Sequence, residues 1–155
     1  MLAGAIEALE GEGIDVGLRS TFLLSAPFGV TAQPEFANAV VAVTSHLPPR
    51  ALLARCHRVE RMAGRRRRQR WGPRTLDIDL LAYHNVIMNR GARSAPVGSY
   101  APLILPHPGI ELRPFVVVPL AEIAPRWHHP VTGRTPAAML RTLGLQREGA
   151  VLATL

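Results

Sequence analysis

The chain has 155 residues, 48% of them apolar, which suits one domain, residues 1–155, built around a single sizeable core. Eighteen Lys and Arg against eleven Asp and Glu give a formal charge of +7, so an anionic partner is expected: nucleic acid, an acidic membrane surface or a phosphorylated small molecule. The lone cysteine, Cys56, excludes an intramolecular disulfide framework and a multi-cysteine zinc site, and fits a reducing, cytoplasmic setting.

Leu2, Ala5, Ile6 and Leu9 recur at helical spacing before Gly11 and Gly13, predicting a helix that begins at the first residues. No basic, apolar leader and no uncharged apolar run of about 18 residues is visible, so neither export signal nor membrane span is expected. Residues 15–24 and 36–44, rich in Val, Leu, Phe and Thr, read as strands separated by a Pro- and Gly-containing loop from Ser25 to Glu35. After Pro48 and Pro49, the residues Leu52, Leu53, Cys56, Val59 and Met62 or Ala63 mark a helix face ending near Gly64.

The most basic stretch, Arg65 to Arg70, comes next, followed by a strand predicted over 75–82 with a hairpin partner around 86–88. A loop from Gly91 to Pro102 reads as a mobile insertion. The pattern over 113–123 is ambiguous between helix and strand, and 135–143 reads as a short helix with Pro136 in its first turn. Strands interleaved with helices indicate a layered α/β or α+β fold.

Alternation in an extended strand puts Asp77 and Asp79 on one face and Leu76, Ile78 and Leu80 on the other. Two such carboxylates repel, and a hard divalent cation relieves that repulsion, since Mg²⁺ takes one or two carboxylates plus phosphate oxygens. The bland alternative is an exposed face whose acids pair with nearby arginines. Arg74 tips the balance. It precedes Asp77 by three residues in a turn shaped by Gly72 and Pro73, and a guanidinium grips phosphate oxygens bidentately. Trp71 offers a plane for stacking a heterocycle or a plug beneath the loop. His57 and Glu60, three apart on a helix, could share a ligand or form a solvated face. His128 and His129 read as surface residues, and Cys56 as core.

The run from Arg70 to Leu81 resembles the signature of the 6-hydroxymethyl-7,8-dihydropterin pyrophosphokinases, enzymes of folate biosynthesis. The likeness extends through Ser25 to Gly29, Gln33 to Asn38, Glu60, Gly64 to Arg67, Pro106 to Pro108, Arg113, Phe115 and Pro119 to Pro125. It implies an α+β fold of ferredoxin-like type, a three-layer α-β-α arrangement on a largely antiparallel sheet, and a monomer. It further implies that Asp77 and Asp79 bind two Mg²⁺ ions that bridge ATP phosphates. The pyrophosphoryl group would pass to the pterin hydroxymethyl oxygen by attack at the β-phosphorus.

By the same likeness Arg65, Arg67 and Arg74 join the two acids in catalysis. Glu60, Arg70, Trp71, Arg74, Ile78, His107 and Arg113 hold ATP, while Ser25, Ala26, Phe28, Phe36, Asn38, Trp71 and Phe115 hold the pterin. Pterin contacts at the Ser25 turn are expected to be largely main-chain. Pro102 and Ile104 stand where the family carries a nucleotide-contacting Arg and Thr. The competing readings are an inactive truncated relic of such an enzyme, or a nucleic-acid-binding module using Arg65 to Arg70 as a phosphate-tracking patch beside Trp71. The family's opening strand and Gly-Ser-Asn turn have no counterpart before the first helix, so the chain is expected to be N-terminally incomplete.

Overall fold

The computed structural model describes residues 2–26, 35–64, 76–91, 102–144 and 151–154. Helix α1 (Leu2–Gly11) leads through a turn at Gly13, whose φ is +77°, into β1 (Asp15–Arg19). Strands β2 (Leu23–Ser25), β3 (Phe36–Asn38) and β4 (Val41–Thr44) follow, then α2 (Pro49–Met62). A single 3-10 turn (Ile110–Leu112), α3 (Pro114–Ile123), α4 (Pro136–Leu143) and β5 (Val151–Thr154) complete the order. All strand pairs are antiparallel: β1 with β4 in a two-stranded sheet, and β3-β2-β5 in a three-stranded one. The chain is thus a mixed helix and antiparallel-sheet fold of the α+β class. Among the described residues no helix is long and apolar enough to cross a membrane.

The two long strands expected over 15–24 and 36–44 are each divided. Ser20 is the reason. Its N–H donates to Val40 O at 2.9 Å, its buried hydroxyl accepts from Val40 N at 3.0 Å and donates to Thr21 O at 2.9 Å, and the β1–β4 register slips between Val16 and Arg19. A side chain replacing a ladder bond bends both strands at one level, so β2–β3 departs in its own sheet. The bend is tied to α3 by Glu122, whose carboxylate accepts from Thr21 N at 3.0 Å and Thr21 Oγ1 at 2.9 Å.

The predicted strand over 75–82 also needs correction. Residues 76–83 belong to no ladder, and the expected hairpin with 86–88 does not form. Instead Met88 bridges Leu105, and His107 N donates to Leu81 O at 2.8 Å, so residues 105–107 sit where a hairpin partner would. The ambiguous 113–123 segment is helical, opened by Pro114 at its first position, where a missing N–H costs nothing. Helix α4 forms where the sequence predicts it, with Pro136 in its first turn, and is capped by Thr135, whose Oγ1 accepts from Ala138 N. Strand β5 was not foreseen.

The helices bury two separate apolar clusters. Leu9, Ile14, Leu52, Cys56, Val59 and Leu76 join α1, α2 and the acid-bearing segment. Val40, Ile110, Val116, Val117, Leu120, Met139 and Leu143 join α3 and α4 to the strand bend. Cys56 is buried as expected, which with the nearby Glu60 carboxylate pushes its thiol up to about 11.

His129, read from sequence as a surface residue, is buried instead. Its Nδ1 accepts from Val131 N at 3.3 Å and Thr132 N at 3.2 Å, fixing the turn before α4. Burial, the larger influence, and Arg90 lower its pKa while Glu111 raises it, so the neutral ring is favoured in the fold. The unfolded chain then takes the proton first, and stability is expected to fall as pH drops below the usual histidine value of about 6.5. His129→Asn places an amide oxygen near the Nδ1 position without a titrating group. Its thermal midpoint should show a flatter decline between pH 7 and 5 than the wild type's.

Candidate active site

Leu76 is buried, Asp77 exposed, Ile78 half-buried, Asp79 exposed and Leu80 half-buried. The period-two alternation predicted from sequence therefore survives without a ladder, because Leu76, Ile78 and Leu80 all pack on the α1–α2 cluster. Two ties hold the segment in its place. At Ile78 the N–H donates to Glu60 Oε1 at 2.8 Å, and at Leu81 the carbonyl accepts from His107 N. Glu60 is almost fully buried, at 2% exposure, which removes the solvated-face alternative.

Arg113 and His107 converge on the second acid. Arg113 Nη1 lies 3.3 Å from Asp79 Oδ2, and its guanidinium carbon stands 6.0 Å from the Phe115 ring centre. His107 Nδ1 accepts from Gly109 N at 3.0 Å, which leaves Nε2 as the protonated nitrogen of the neutral ring, 3.9 Å from Asp79 Oδ2. Burial is the largest influence on His107 and lowers its pKa, Arg113 lowers it further, and Asp79 and Asp77 oppose both. The Arg113 guanidinium and the His107 ring thus flank an acid that water still reaches. An ion pair this exposed contributes little to stability, so it can open for a stronger anion.

A cavity of about 490 Å³ runs behind this cluster. Asp77 and Asp79 line it together with Asn38, Phe115 and Trp127, and most of the remaining wall is aliphatic. Asn38 is oriented from two sides: its Nδ2 donates to Ser25 Oγ at 2.8 Å and to Phe36 O at 3.0 Å. With both amide hydrogens engaged, Oδ1 remains as the free acceptor of this side chain. Ser25 is 1% exposed, and its hydroxyl is one of the two acceptors that orient Asn38. Phe36 is half-buried on β3, opposite Ser25 at the end of the neighbouring strand.

The fold therefore brings together Asp77, Ile78, Asp79, Glu60, His107, Arg113 and Phe115, with Asn38, Ser25 and Phe36 on the cavity's strand side. Phe28, Arg65, Arg67, Arg70, Trp71, Arg74 and the loop 92–101 lie outside the described residues. Gly109 was missed by the sequence reading, and its place directly after Pro106-His107-Pro108 was the available signal. A Cβ there would stand 2.7 Å from Arg113 Nε and 3.1 Å from His107 Cε1.

Exposed carboxylates, a guanidinium and an imidazole at the mouth of an apolar cavity with an aromatic wall define a site for a flat ligand beside a polyanionic one. That is the layout of a small-molecule phosphoryl-type transferase. The profile of the family described as 7,8-dihydro-6-hydroxymethylpterin-pyrophosphokinase (HPPK) matches residues 1–125, and the chain belongs to that family.

Three relatives bear the name 2-amino-4-hydroxy-6-hydroxymethyldihydropteridine pyrophosphokinase. That of Methylorubrum extorquens is 47% identical over 126 residues, covering 81% of this chain and 73% of the relative. That of Synechocystis is 41% identical, covering 86% and 64%, and that of Haemophilus influenzae 41% identical, covering 68% and 59%. The chain thus spans roughly three fifths to three quarters of these relatives' lengths. Nothing in these matches supports the nucleic-acid module or the inactive relic.

Gly109 has φ −90° and ψ 0°, which alanine tolerates, so its importance is space for two flexible neighbours. Gly109→Ala is expected to keep the thermal midpoint within about 2 °C while pushing the Arg113 guanidinium off Asp79. A moved Arg113 Nε–Hε NMR signal with an unmoved midpoint would bear this out. An unmoved signal would refute it.

Proposed function

We propose that this chain transfers the pyrophosphoryl group of ATP to the hydroxymethyl oxygen of 6-hydroxymethyl-7,8-dihydropterin, in folate biosynthesis. The observation that carries the reading is that Asp77, Asp79, Asn38 and Phe115 line one cavity while Arg113 and His107 stand against Asp79. In the reaction the alcohol oxygen bonds to the β-phosphorus of ATP, the bond from that phosphorus to the α–β bridging oxygen breaks, and AMP departs.

Asp77 and Asp79 are the ligands we assign to Mg²⁺, two ions in all. The donor chemistry fits: hard carboxylate oxygens, exposed to solvent, with no cluster of three or more His, Cys, Asp or Glu among the described residues to enclose a metal completely. A hard cation held so would complete its shell with phosphate and water oxygens and spread the charge of the transferring group. Arg113 and His107 then move from Asp79 to polyphosphate oxygens, joined by Arg65, Arg67 and Arg74 from the adjoining segment. Glu60, Arg70, Trp71 and Ile78 complete the nucleotide side. Phe115 and Trp71 stack the pterin, Asn38 Oδ1 accepts from an N–H on its rim, and Ser25, Ala26, Phe28 and Phe36 close the pocket. Catalysis is mainly positioning and charge neutralisation.

The ferredoxin-like, three-layer arrangement belongs to the same proposal. In its support, α1 and α2 bury one cluster and α3 and α4 another, as two outer layers would.

Asp77→Ala or Asp79→Ala is expected to lower kcat by far more than tenfold, above ~1.4 kcal/mol of barrier, while pterin affinity stays measurable. Titration calorimetry with the pterin and a non-hydrolysable ATP analogue, with and without Mg²⁺, is the companion experiment. Retention of a tenth of wild-type kcat by a folded variant would sink the assignment.

Ser25→Ala removes one of the two acceptors that orient Asn38, a change of about 1 kcal/mol by the usual worth of a hydrogen bond. The pterin Kd should rise roughly fivefold. ATP-analogue affinity should stay constant, and equal loss of both would show a merely structural effect.

A further inference from the structure

A carboxylate at 2% exposure on an otherwise apolar helix face has to be bonded to remain there. Glu60 shares that face of α2 with Leu52, Cys56 and Val59, and its Oε1 accepts from the N–H of Ile78. That N–H belongs to the peptide joining Asp77 to Ile78, the residue that stands between the two acids. Among the described residues no strand pairs with residues 76–80, so a side-chain acceptor here does what a ladder carbonyl does elsewhere. The tie also reaches along α2, because Glu60 stands one turn before Gly64, whose φ of +84° ends the helix where the basic run begins.

We propose that Glu60 is a positioning residue: by holding the Ile78 peptide it sets the orientation and separation of the two carboxylates that flank it, and acts on the metal–polyphosphate ligand through them. The inference rests on the function proposed above and changes the part Glu60 plays in it, from touching the nucleotide to shaping its anchor. Groups that orient metal ligands typically change metal affinity by about 10- to 100-fold when removed.

Two conservative variants separate reach from charge. Glu60→Gln keeps an acceptor oxygen at the same reach and loses the charge. Glu60→Asp keeps the charge and draws the oxygen back by one methylene. The measurements are amide hydrogen exchange at Ile78 in the ligand-free protein, Mn²⁺ affinity by electron paramagnetic resonance with a non-hydrolysable ATP analogue present, and pterin affinity by calorimetry. Glu60→Asp is expected to speed Ile78 exchange and weaken Mn²⁺–nucleotide binding about tenfold, with pterin Kd within twofold of wild type. Glu60→Gln should stay within about threefold of wild type on every measure. Wild-type Mn²⁺ affinity in Glu60→Asp, or equal weakening in Glu60→Gln, would overturn the inference alone. Failure of the wild-type protein to bind Mn²⁺ with the nucleotide analogue would overturn the proposed function and this inference with it.

Discussion

Everything at the site depends on how residues 76–82 are held. A segment carrying two acids two residues apart is pulled one way by its own Leu76, Ile78 and Leu80 and the other by carboxylates that need water or a cation. In most sheets, ladders on both edges settle that contest. Here Glu60 takes the Ile78 N–H and His107 gives its N–H to Leu81 O, while the three aliphatic side chains sink into the α1–α2 cluster. Because His107 also faces Asp79, the residue that anchors the segment is part of the site it supports.

The two apolar clusters explain why the cavity lies where it does. One belongs to α1 and α2, the other to α3 and α4, and residues 39–43 and 76–82 line the space between them. Side chains from both clusters form its walls, so changes in packing on either side reach the cavity directly. Asn38 and Phe115 approach it from opposite elements, β3 and α3, and neither is placed by the acid segment. The aromatic and amide groups are therefore mechanically separate from the acids, and a variant can perturb one set while sparing the other.

Local signals were legible in the sequence and distant pairings were not. The face of α2, the stop at Gly64, Thr135 and Pro136 at the start of α4, and the alternation across Asp77 and Asp79 all reflect residues within a turn or two of one another. Asp77, Asp79, His107, Arg113 and Phe115, which the structure brings together, came from the sequence through likeness to a family rather than through pattern. The missed features each depend on a remote partner. Strands 15–24 and 36–44 break because Ser20 meets Val40, Met88 pairs with Leu105 instead of the acid segment, and β5 is recognisable only once β2 is there to receive it. His129 was misread because nothing in its neighbours announces that two backbone N–H groups turn back onto its ring.

The pairing of β2 with β5 joins residues some 130 positions apart, Leu23 with Thr154. At a synthesis rate of about 5 to 20 residues per second, β2 is made roughly 6 to 26 seconds before its partner. During that interval β2 has β3 on one side and an open edge on the other, the arrangement most inclined to pair with a foreign strand. Ser25, whose hydroxyl orients Asn38, lies on that edge. The strand side of the cavity is thus a late product of folding, complete only once β5 has been made and has paired with β2.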